Sequence, residues 1–181
     1  MRRQTIRDFR RDYATRTDFC DAFTGQTNSF YLLTFLLTTT HAAAEHCFLD
    51  VIEQAFRPNT VFREWTVPWI RRTLISSAIT TVFDASERGK GSTNSGRASR
   101  AEGGPAIDAI TRLADLDRFA FVMSVLERYS VYECSLLLGC PPVVVIESRA
   151  RALRDLPALY SHVDENSGRS RSLVCRTENS A

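Results

Sequence analysis

The sequence predicts an all-α protein made of two small helical domains joined by a flexible linker, the second domain carrying a helix-turn-helix. Three observations predict it. Apolar residues recur at the i, i+3, i+4, i+7 spacing of a buried helix face through residues 17–83 and again through 107–157. No apolar–polar alternation bounded by turn residues suggests a strand. Between the blocks, "DASERGKGSTNSGRASRAEGGPA" (84–106) holds five of the eight glycines and no apolar residue larger than Ala, the composition of a flexible linker.

Each element follows from local signals. Residues 1–16 form a basic N-terminal arm, with six Arg against two Asp. In "NSFYLLTFLLTT", Asn28 or Ser29 is placed as an N-cap, and the apolar residues crowd too closely to leave a wide polar face, so this helix is expected to be buried. "THAAAEHCFLDVIEQAF" sets Ala44, Cys47, Phe48, Val51, Ile52 and Ala55 on one face behind an N-cap at Thr40 and ends before Pro58. "REWTVPWIRRTLISSAITTVF" carries Pro68 in its first turn, where a missing N–H is tolerated, and a stripe of Ile70, Leu74, Ala78 and Val82.

After the linker, "AIDAITRLADLDRFAFVMSVLERY" repeats Ile110, Leu113, Leu116, Ala120, Met123 and Leu126 at helical spacing. Ser130 then caps "VYECSLLLG", Gly139 is placed to end that helix in a left-handed conformation, and Pro141 or Pro142 starts the next. Two helices joined through Gly by a turn of three to four residues give the helix-turn-helix outline. The polar run from Ser161 predicts a disordered tail over 158–181.

Composition narrows the function classes. The net charge of +2 is uneven: the arm carries +4, residues 17–83 carry −2 and residues 107–156 carry −1. A nucleic-acid binder normally shows a clustered positive footprint, and only the arm has one. The longest apolar stretch, Phe30 to Leu37, is interrupted by Thr34 and falls short of a membrane span. With no apolar core of a secretory signal after the charged start, a cytoplasmic location is expected. Five cysteines without CxxC spacing fit reduced thiols. "GKGSTNSG" lacks both the glycine five residues before Gly-Lys and the Ser or Thr after Lys90 that a phosphate loop requires.

The order and spacing of these segments resemble the small two-domain bacterial sigma factors of the extracytoplasmic-function type. "YLLTFLLTTTHAAAEHCFLDVIEQAF" is similar to their region 2, where an Ala-Glu pair, here Ala44-Glu45, opens the helix that docks on the RNA polymerase clamp. "FREWTVPWIRRTLISSAI" is similar to the segment that melts and reads the −10 element. "LADLDRFAFVMSVLERYSVYECSLLLGC" resembles region 4, with Glu133, Ser135, Leu138 and Gly139 at the family's Glu-x-Ala-x-x-Leu-Gly.

The resemblance implies a transcription initiation protein with RNA polymerase core and promoter DNA as partners, an anti-sigma or other regulatory protein as a further one, and no cofactor. It implies polymerase contacts at Ala44, Glu45, Phe48 and Asp50. It implies DNA-facing positions at Arg71, Arg72, Val143, Val144, Ser148 and Arg151. The chain departs from the pattern where the family offers Thr, Lys and Arg to the −35 element, because Val144, Ile146 and Ser148 stand at those positions. A helical wheel with Val145, Arg149, Ala152 and Leu156 inward turns Val143, Val144, Glu147, Arg151 and Arg154 outward. The alternative reading is therefore a degenerate relative that keeps the sigma fold for protein binding and reads little sequence.

Other chemistries find less support. His41, Glu45 and the His46-Cys47 pair lack the second ligand cluster of a closed zinc site. No nucleophile, base and orienting group stand in a catalytic order. Cys134 and Cys140 read as small apolar fillers, and Trp65 and Trp69 as core and turn anchors.

Overall fold

The computed structural model describes residues 13–58, 60–88 and 104–174, with side chains for 13–58, 60–84 and 104–160. The arm as far as Asp12, most of the linker (89–103) and residues 175–181 lie outside the described residues. The described chain is all-α. Its one extended pairing is an isolated antiparallel bridge between Tyr13 and Phe62. The chain divides into two compact units, Met1–Asn94 and Ser95–Ala181.

In the first unit, α1 (Arg16–Thr38) starts well before the cap expected at Asn28 or Ser29. Thr15 is the N-cap, and its Oγ1 accepts from the Asp18 amide while the Asp18 carboxylate accepts from the Thr15 amide at 2.7 Å, a reciprocal capping box. The expected start instead falls just after a kink: Gln26 leaves helical geometry at φ −129°, ψ 19°. Thr40 caps α2 (His41–Phe56), which stops before Pro58 as its sequence requires. A 3₁₀ turn (Arg63–Trp65) leads into α3 (Thr66–Arg88), which carries Pro68 in its first turn and runs into the segment expected to begin the linker. The three helices share one core of Phe19, Phe23, Phe30, Val51, Ala55, Ile70 and Leu74.

In the second unit the long helix expected after the linker is broken. α4 (Pro105–Thr111) and α5 (Asp115–Phe121) are separated at Arg112–Ala114, and α5 passes into a π-helical turn (Val122–Leu126). The buried Arg118 stabilises the break, donating from Nη1 to the Leu113 carbonyl at 2.9 Å and from Nη2 to Asp115 at 2.7 Å. Burial pulls its pKa below the ordinary guanidinium value, opposed by the Asp115 charge. Next comes α6 (Val131–Leu138), capped by Ser130 and Glu133 and ended by Gly139 at φ +64°. α7 (Pro142–Val174) begins at Pro142 and continues through Pro157, so the backbone is helical over 158–174, where the sequence suggested a tail. α6 and α7 meet at a bend of 105°.

Candidate functional site

The residues expected on the first unit's docking face divide by the face of α2 they occupy. Ala44 is fully buried. Phe48 turns inward, its ring edge-to-face with Phe23 at 5.7 Å and with Tyr31 at 6.5 Å. Asp50 ties α2 to α3: its carboxylate accepts from Gln54 Nε2 and from Ser77 Oγ, each at 3.0 Å. Of the four, Glu45 alone is exposed. One turn further on, Leu49 is 65% exposed and has no counterpart in the sequence reading. An apolar side chain set outside a helix's inward period is the only sequence signal it gives. Together Ala42, Glu45, His46, Leu49 and Glu53 make one solvent-facing stripe along α2.

At one end of this stripe Tyr31 Oη meets His41 Nδ1 at 2.8 Å, with the two rings stacked. Burial, and then the Glu45 charge, push the Tyr31 hydroxyl above its ordinary pKa.

The two arginines of α3 differ. Arg71 lies along the kink of α1, where its Nη2 donates to Gln26 Oε1 at 3.2 Å and Ser29 Oγ at 2.8 Å, with the guanidinium 5.5 Å over the Phe30 ring. These three contacts lie within the unit and hold the segment where helical geometry fails. Arg72 is exposed. Trp69 packs edge-to-face on Phe19, whereas Trp65, in the 3₁₀ turn, is exposed.

In the second unit, Ser148 is fully buried, in contrast to the DNA-facing position given it by the resemblance. Its Oγ accepts from Arg151 Nη2 at 2.8 Å. Arg151 also forms a bidentate pair with the buried Asp117 of α5, at 3.1 Å from Nε and 2.8 Å from Nη2. Hydrogen bonds to that carboxylate hold the guanidinium above its ordinary pKa. Such fork-to-carboxylate geometry is the strong form of an ion pair, and it turns the donor edge formed by Nε and Nη2 of Arg151 toward its own unit. Val145 and Ala152 are buried as the wheel required. What α7 turns to solvent near its start is Val143, half-buried Val144, Ile146 and Glu147.

Cys134 is buried, and burial pushes its thiol up to about 11, with Glu133 adding to the rise. An apolar groove lined by Ala109, Ile110, Phe121, Leu156 and Tyr160 offers little to orient a small polar ligand. Among the described residues no group of three or more His, Cys, Asp or Glu is placed to hold a metal ion. Nor is any single described helix long and apolar enough to cross a membrane. Comparison with protein-family models, curated proteins and solved structures finds no match to this chain.

Proposed function

We propose that the chain is a sigma-factor-like helical protein that acts through protein contacts, docking on RNA polymerase core by its first unit and reading promoter DNA little. In this reading the two units are two domains, and α6 and α7 are a helix-turn-helix that keeps the shape of a DNA reader without its chemistry. The observation that carries it is the face of α7. Valine and isoleucine neither donate nor accept a hydrogen bond, and each bidentate base contact forgone loses about 1–3 kcal/mol of discrimination. Of the polar groups that the resemblance sets toward DNA on α7, Ser148 lies in the interior and Arg151 is engaged on Asp117.

Docking is assigned to the exposed stripe of α2, with Glu45 as its charge and Leu49 as its apolar anchor. The promoter-contacting reading retains one specific support, the exposed Arg72 and Arg154 as phosphate contacts. Co-sedimentation of the full chain with bacterial RNA polymerase core tests the proposal. Saturable binding is expected, and Glu45→Lys with Leu49→Glu should weaken it at least tenfold while leaving the thermal transition in place. No binding by the wild-type chain, or equal binding by the double variant, contradicts it.

A further inference from the structure

Exposed apolar side chains on α7 are not scattered. Val143 (55% exposed), Ile146 (47%), Leu153 (50%) and Tyr160 (45%) fall on one line with the exposed Ala150 and Pro157. The steps between them alternate three and four residues, which is the a/d pattern of a helix that packs against another helix. At 1.5 Å per residue the stripe is about 25 Å long. From Val143 to Leu153 it lies away from the face that buries Val145, Ser148 and Ala152 within the unit, and its far end, Pro157 and Tyr160, borders the groove lined by Ala109, Ile110 and Phe121. A contiguous apolar surface of this kind marks a contact site.

The charges beside the stripe say what covers it. Glu147 follows Ile146 and Arg154 follows Leu153 on one edge, both exposed, while Arg149 lies on the other edge. We propose that α7 pairs antiparallel with α7 of a second copy of this chain. Between identical antiparallel helices each edge meets its own kind, so the register decides which charges meet. Setting Ile146 opposite Ala150 of the second copy brings Glu147 against Glu147 and Arg149 against Arg149. Setting Leu153 opposite Pro157 brings Arg154 against Arg154.

Setting Ala150 opposite Leu153 of the second copy avoids both conflicts. Each Glu147 then faces Arg154 of the other copy, twice by symmetry, and Arg149 faces Leu156. This register also uses the whole stripe, with Ile146 against Pro157 and Val143 against Tyr160. A parallel pair would set Arg149 against Arg154. The surface is therefore complementary to itself in one orientation and one register.

The inference rests on α7 alone, so it and polymerase docking through α2 fail independently: Leu153→Glu should leave core binding unchanged. Sedimentation velocity of the full chain over a hundredfold range of concentration is the test. A monomer–dimer equilibrium is expected for the wild type, and Leu153→Glu should be monomeric throughout. Glu147→Arg and Arg154→Glu should each weaken the dimer about tenfold by replacing two attractions with two repulsions. Combined in one chain they should restore it. Because all three positions are exposed, circular dichroism should show wild-type helix content in every variant. A wild-type chain that stays monomeric, or a double variant no tighter than either single one, overturns the proposal.

Discussion

Ser148 and Arg151 lie one turn apart on α7, and both are held by their own unit rather than offered to a partner. Putting an arginine at position 148, as the sigma-factor pattern would have it, forces a long charged side chain into a filled interior. Ser148→Arg is therefore expected to destabilise the second unit by at least the 1–3 kcal/mol typical of overpacking, read as a lower urea midpoint with unchanged slope. Wild-type stability in that variant would mean that position 148 faces solvent. The wheel drawn from the sequence placed Val145 and Ala152 correctly, because their apolar side chains announce the inner face. Ser148 was missed because a small hydroxyl gives no apolar signal. Arg151 was placed outward correctly, but its partner Asp117 is 34 residues away and leaves no trace in local spacing. Thiol chemistry gives a second test at this scale. Cys20 is exposed, while Cys134 is buried with its thiol pushed up to about 11, so little of it is the reactive thiolate near neutral pH. Peptide mapping after brief alkylation at pH 8 should find Cys20 modified and Cys134 intact. Equal modification of the two would contradict the burial of Cys134.

Helix ends were legible where capping chemistry is local and illegible where a distant side chain sets them. Thr40, Pro68, Ser130 and Gly139 mark ends by their own hydrogen bonds or backbone preferences, and each stands where those preferences put it. The break at Arg112–Ala114 was hidden because apolar residues keep helical spacing across it, both pieces packing on the same interior. The true start of α1 was hidden because the crowded run after Ser29 gave the stronger signal. Yet that start makes its own prediction. Hydrogen bonds from Thr15, with the nearby Arg63, hold the Asp18 carboxyl below its ordinary 3.8, so the folded state favours the ionised form. A depressed pKa contributes stability that is present above the unfolded value and lost as pH falls through the folded one. Asp18→Asn should accordingly lower the first unit's melting temperature at neutral pH. The difference from wild type should shrink as pH falls below 3.8. A difference constant from neutral to strongly acidic solution would show that the capping box does not use the charge.

Each unit has its own interior, and the two tryptophans of the chain, Trp65 and Trp69, both belong to the first. Tryptophan fluorescence thus reports one unit while far-ultraviolet circular dichroism reports both. Phe119→Ala, at a fully buried site of the second unit, is expected to cost about 3–5 kcal/mol there and to leave the fluorescence transition in place. A fluorescence midpoint that falls with it would show the two units unfolding as one. At this scale the all-α class was legible from period alone. Where Ser148, Arg71 and Arg151 point after folding was not legible, because their partners Asp117, Gln26 and Ser29 lie on other helices or give no periodic signal. If protein contacts have replaced DNA reading, as proposed, the chain competes for polymerase. The decisive experiment maps transcript 5′ ends made by RNA polymerase core with a competent sigma factor in the presence of increasing full-length chain. The expected result is fewer starts at that factor's promoters and no new start sites. New, defined start sites that disappear when Val143 and Val144 are both changed to Glu would show that α7 reads DNA after all.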